Sequence, residues 1–198
     1  MAASAGTTAN NAPVDVTPAQ ANAAVDEGVK AAKAAGLAAA TVSLTRPGSV
    51  TLNILKAMRV RAGMPLTIHA DTWSSNGKTA DVRITFDPAD SVKDLNLFAS
   101  STSSAANSLS AQLGRWFKND LMVVRFEHKG EWGQRMEAAV KMDKKLNTSN
   151  LIAYSYDREN NTYAKLNTIV QKDDSGYIRF HTLVGGDIIL SDGELINK

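Results

Sequence analysis

From Pro65 to Phe86 apolar and polar residues alternate with a period of two. Leu66, Ile68 and Ala70 alternate with Thr67, His69 and Asp71; then Ala80, Val82, Ile84 and Phe86 alternate with Thr79, Asp81, Arg83 and Thr85. Such alternation predicts two strands, each with one buried and one wet face. They join through Ser75-Asn76-Gly77, residue types that tolerate the positive φ of a tight hairpin turn. By parity Trp73 falls on the polar side with Thr67, His69 and Asp71, near the hairpin tip.

Before this hairpin the period is helical. Thr17-Pro18 predicts a helix start, with Thr as cap and Pro in the first helical position. The Ala-rich run from Ala19 to Ala35 carries Val25 and Val29 four apart and stops at Gly36. A short strand is predicted from Ala40 to Leu44. Ser49 is then expected to cap a second helix, with Leu52, Leu55, Ala57 and Met58 on one side and Gly63 as its stop. The order strand, helix, strand allows a parallel crossover, which predicts a mixed sheet.

Beyond the hairpin, Asp87-Pro88 turns the chain and a strand is expected from Leu95 to Ala99. A third helix is expected in the Ser/Thr-rich run that follows, with Ala105, Leu109, Leu113 and Trp116 or Phe117 along one side. Leu121–His128 and Gln134–Met142 read as a second hairpin across Lys129-Gly130, with Arg125, Glu127, Arg135 and Glu137 on its outer face. From Leu151 the pattern gives short strands only, as a β-meander. The fold class expected is α+β: helices packed on a mixed, mainly antiparallel sheet, with a C-terminal meander or sandwich-like lobe. Residues 1–16 read as a flexible linker, 17–150 as the α+β module, and 151–198 as the meander packed on or beside it.

Composition adds exclusions. At 198 residues, with 43% hydrophobic and 21% charged, the chain has the make-up of a soluble globular protein whose core needs no staples. A net charge of +2 lacks the concentrated basic face that nucleic-acid binding requires. The absence of cysteine removes disulfides, thiolate chemistry and zinc–thiolate sites. No apolar run reaches the roughly 18–20 residues that span a bilayer. The N-terminal AASAGTTANNAPVD is low in bulky residues, and the Met placed directly before it predicts an export signal upstream in the parent gene.

Nucleophile elbows, phosphate loops and HExxH zinc motifs are missing from the sequence. His69, His128 and His181 are isolated on predicted strands, and no cofactor or metal is expected. Asp71, Asp81, Glu127 and Glu137 are the carboxylates from which a hydrolytic pair would be drawn, but on outer strand faces they read as salt-bridge partners. The acidic loops Asp87–Asp94, Asp157–Glu159 and Asp173-Asp174 lack EF-hand spacing and read as turns. No enzymatic activity is expected.

The aromatic residues say more. Trp132 is in step with Met136 and Ala138, Trp116 lies in the apolar stripe of the third helix, and Tyr154 and Tyr156 are in step with Ile152. All four read as packing residues, while Tyr163 faces the other way and is a minor binding candidate. Trp73 stands apart. With Asn76 and Lys78 beside it and Asp71 and Arg83 on the same face, it has the chemistry of a sugar-binding platform: a flat ring for the apolar face of a pyranose, flanked by hydrogen-bonding groups.

The terminal stretch LIAYSYDRENNTYAKLN…DDSGYIRFHTLVGGDIILSDG resembles a pattern of exported surface proteins of gut clostridia. The matching positions are Tyr154, Tyr156, Asp157, Tyr163, Gly176, Tyr177, Phe180, Gly185, Gly186, Asp187 and Ser191. Upstream, LKAM…AGMPLTIHADT…GKTADVRITFDP…DLNL is similar to the module that often precedes it. The resemblance covers residues 40 to 195 and extends to scaffold-associated starch-adherence proteins of the amylosome type. It implies a non-catalytic, extracellular, cell-surface module that binds α-glucan; a monomeric module of a larger protein is expected, and with no long apolar run it is not expected to span the membrane. The alternative is a structural or adhesion module that spaces other domains or binds a protein partner.

Overall fold

The structure, a computed structural model, describes residues 12–73, 80–142 and 146–196. Helix α1 spans Pro18–Ala34, followed by β1 (Ala40–Thr45), β2 (Ser49–Val50), α2 (Leu52–Ala62), β3 (Leu66–Trp73), β4 (Ala80–Phe86), β5 (Leu95–Asn96) and β6 (Ala99–Ser100). The chain continues through α3 (Ser104–Leu113), β7 (Leu121–Phe126), β8 (Glu131–Lys141), β9 (Ile152–Asp157), β10 (Thr162–Lys165), β11 (Gln171–Lys172), β12 (Tyr177–Val184) and β13 (Asp187–Ser191). The class is α+β.

Local chemistry sets the helix ends. Thr17 accepts from the Gln20 amide while the Gln20 side chain reaches back to the Thr17 backbone, forming a capping box ahead of Pro18. The second helix is capped by Thr51, which accepts from the Ile54 amide. Ser49, expected to cap it, instead pairs with Asn96 in the small β2–β5 ladder. Gly63 closes α2 in the left-handed conformation, and Ser103 caps α3. Of the stretch read as a linker, residues 12–16 lie along 46–49: the Val14 amide donates to Arg46, the Val16 amide to Ser49, and Val16 is buried.

Two sheets organise the molecule. The larger has the strand order β1-β3-β4-β8-β12-β11, with β1 and β3 parallel across α2 and the other neighbours antiparallel. The smaller, β10-β9-β13-β7-β6, is antiparallel throughout. The pairing expected between β7 and β8 does not form, because the chain passes from one sheet to the other between them. The apolar residues of the two strands, Met122, Val124 and Phe126 of β7 and Met136, Ala138 and Val140 of β8, share one buried cluster between the sheets. The strand expected from Leu95 to Ala99 is likewise split, β5 pairing with β2 and β6 with β7. Strands from 151 onward divide between the sheets, β11 and β12 joining the larger and β9, β10 and β13 the smaller.

The inner faces of both sheets, with α1 and α2 over β1 and β3, enclose one apolar cluster that includes Leu55, Ile68, Ile84, Phe180 and Ile188. Burying each such side chain contributes about 1.5–3 kcal/mol. Trp132 is fully buried, stacked on His128 at 4.3 Å and edge-on to Phe126 at 5.9 Å. On its other side the smaller sheet carries α3, with Leu109, Leu113 and Phe117 against Val123, Ile152, Tyr154 and Ile189. The layers therefore run larger sheet, smaller sheet, α3, and among the described residues the far face of the larger sheet carries no helix.

Candidate functional site on the open sheet face

That face carries two of the residues singled out at the hairpin, Asp71 and Arg83. Strand register places Asp71, Arg83, Ala139, Arg179 and Gln171 in one row across five strands, and His69, Thr85, Glu137 and His181 in the next. Arg83 grips Asp71 with both prongs, Nε to Oδ1 at 2.6 Å and Nη2 to Oδ2 at 3.1 Å. Arg179 donates to Asp173 at 2.7 Å and to Glu137 at 2.8 Å. Between the two arginines stands Ala139, whose small side chain is buried. A polar sheet face normally carries mobile side chains; here the cross-strand pairs hold them in register.

The electrostatics follow. Hydrogen bonding to Asp71 raises the Arg83 pKa, and the same effect from Asp173 raises that of Arg179. Asp173 is held below the ordinary carboxylate range by the Tyr177 amide and by Arg179. His69, half-buried, is pushed below its ordinary value by desolvation and then by the nearby Arg83. Burial raises the Tyr177 phenol; its hydroxyl donates to the Ala80 carbonyl at 2.6 Å, and the Lys141 ammonium lies 4.9 Å above its ring.

The hairpin residues divide into two groups. Asp71 and Arg83 are together, but Asp71 is covered, its side chain 9% exposed and both its oxygens on Arg83. Its carboxylate holds Arg83, the salt-bridge role that its outer strand face predicts. Trp73 is the last residue of β3, opposite Ala80; its side chain, with Asn76 and Lys78, lies outside the described residues. A bulge at the Thr72–Trp73 step sets Asp81 off the regular ladder, and Asp81 accepts from Thr102 Oγ1 at 2.8 Å.

The remaining candidate residues are placed as follows. Among the described residues no group of three His, Asp or Glu is placed to hold a metal ion. His69 and His181 share the open face, while His128 sits at the β7–β8 turn with its ring nitrogens near the Asn96 amide and the Glu131 carbonyl. Asp87, Asp157 and Asp173 cap the backbone amides of their own turns. The face presents guanidinium, imidazole and hydroxyl groups, with both arginines held by carboxylates across the strands.

At the open edge of β12, past its pairing with β11, a cleft of about 480 Å³ runs between the sheets. Arg135, His181, Leu166 and Val184 line it, with Leu183 62% exposed at its rim. Sequence reading had no means of finding it, since it forms where strands distant in sequence fail to pair. No protein-family model and no curated protein matches this chain.

Proposed function

We propose that this chain is a non-catalytic carbohydrate-binding module of a bacterial cell-surface protein, with starch or another α-glucan as its ligand. The observation that carries this reading is the open face of the larger sheet, where Asp71–Arg83 and Glu137–Arg179–Asp173 hold donor groups flat beside the strand end that bears Trp73. In the proposed mechanism the apolar face of a glucose ring stacks on the Trp73 indole, whose electron-rich face attracts the sugar's polarised C–H groups. Asn76 and Lys78 bond the ring hydroxyls. Arg83, with N–H groups beyond those given to Asp71, supplies further donors. A shallow platform of this kind binds weakly and gains strength through several modules on one polymer.

Affinity electrophoresis through gels containing amylopectin, xylan, a cellulose derivative or no polysaccharide tests it. Retardation in amylopectin alone, abolished by Trp73→Ala, is the expected result. Retardation that survives Trp73→Ala overturns the site, and equal mobility in every gel overturns the reading. The second reading, a module that binds a protein partner, is favoured by the β12-edge cleft. There Leu183 presents an apolar side chain beside an open strand edge, and Ile169 (79% exposed) lines the adjoining hollow over Arg135 and His181, the setting in which an extended peptide adds to a sheet.

A further inference from the structure

On the opposite side of the sandwich, where α3 covers the smaller sheet, lies a groove of about 500 Å³, within the ~300–1,000 Å³ typical of small-ligand clefts. One wall is the end of α3 and the turn after it, carrying Gln112, Arg115 and Trp116; the other is Tyr156 of β9 and Asn161 of the β9–β10 turn. We infer that this groove is a second saccharide site, which takes a pyranose ring of the glycan against Trp116 and Tyr156 and bonds its hydroxyls through Gln112, Arg115 and Asn161. The inference rests on the glycan-binding reading and adds to it a site independent of Trp73.

Both walls are held firmly. The Trp116 carbonyl accepts from the Ile196 amide at 2.7 Å, and the Lys118 amide donates to Glu194, so the chain's last described segment straps the turn in place. The Arg115 guanidinium lies 4.9 Å from the Trp116 ring centre, a cation–π arrangement that fixes both groups. Opposite, Tyr156 stacks on its cross-strand partner Tyr163 at 4.9 Å, and Phe117 meets Tyr163 edge-on at 6.0 Å. Asn161, with φ of 50°, adopts the left-handed conformation that Asn tolerates, and its side-chain oxygen accepts from the Tyr156 hydroxyl at 3.3 Å. That bond leaves the Asn161 amide N–H groups for a ligand.

The composition is that of a sugar site. Two aromatic rings meet three amide or guanidinium groups, which carry both donors and acceptors, as a ring of hydroxyls requires. An apolar protein anchor would waste the polar groups, leaving them desolvated without partners. Among the described residues the two walls contribute amide and guanidinium groups and no carboxylate, a lining suited to neutral sugars.

The test is calorimetric titration of the intact chain with maltoheptaose, xylohexaose and cellohexaose. It compares wild type, Trp73→Ala, Tyr156→Ala and the double variant Gln112→Ala with Asn161→Gly. The double variant touches no core residue and keeps a residue suited to positive φ, so it remains informative if Tyr156→Ala unfolds. The expected result is binding of one of these saccharides that weakens about fivefold or more in the double variant, with residual binding in Trp73→Ala. Binding lost in Trp73→Ala and unchanged in the double variant overturns the groove while leaving the glycan reading intact. No heat with any of the three saccharides overturns both.

Discussion

Tyr177 Oη donates to the carbonyl oxygen of Ala80 at 2.6 Å, tying β12 to β4 over the strand that lies between them. The two residues are 97 apart in sequence. The bond pins the second arm of the hairpin, at its tip end, to the C-terminal half of the chain.

Tyr177→Phe removes the hydroxyl and keeps the ring. The net loss expected is about 1 kcal/mol, which for a chain of this size lowers Tm by roughly 2–4 °C. Urea unfolding followed by circular dichroism measures it. An unchanged midpoint would mean that water replaces the phenol at Ala80 without cost.

Arg83→Ala strands the Asp71 carboxylate, which is nearly covered. Arg83 itself is 37% exposed, and solvent screens part of the pair's attraction. A destabilisation of about 2–3 kcal/mol is therefore expected, below the full cost of breaking a buried ion pair. The double replacement Asp71→Ala with Arg83→Ala should cost clearly less than the two single changes added together, and a double-mutant cycle in urea checks this. Strict additivity would show that the pair contributes nothing to folding.

His69 makes stability depend on pH. Burial depresses its folded-state pKa below the ordinary 6.5, so the unfolded chain binds its proton first as pH falls. Stability from the neutral imidazole is complete above the unfolded pKa, declines as pH drops through about 6.5, and stops declining below the folded pKa. His69→Gln should flatten the urea midpoint between about pH 7 and about pH 5 relative to wild type. A variant with the same slope as wild type would assign the dependence to other groups.

Gly28 in the middle of α1 is an exception to helix propensity. Glycine to alanine in a helix interior ordinarily gains up to about 1 kcal/mol. Here a Cβ would stand 2.5 Å from the Thr41 carbonyl oxygen and 3.2 Å from a Val42 methyl, so the helix would have to move off β1. Gly28→Ala is expected to destabilise by about 1–3 kcal/mol. A rise in Tm would show that α1 slides on the sheet without penalty.

What the sequence determined by itself is what neighbours along the chain decide. The Thr17 cap, the Gly63 stop, the β3–β4 hairpin and the inward-facing Trp132 follow from residue type and period, because each depends on contacts a few residues away. Alternation also identified the apolar faces of β7 and β8. It did not reveal that these strands belong to different sheets, since a period of two marks a buried side without naming the partner strand. The covering of Asp71 depended on Arg83 being directly opposite in register. The groove of Trp116, Tyr156 and Asn161 exists only because the chain after α3 crosses the smaller sheet toward β9 and β10, bringing an indole beside a turn 45 residues downstream (Trp116 to Asn161). Packing of two sheets with a helix behind one of them settled those relationships, because the free energy of burial depends on area removed from water and is indifferent to sequence separation.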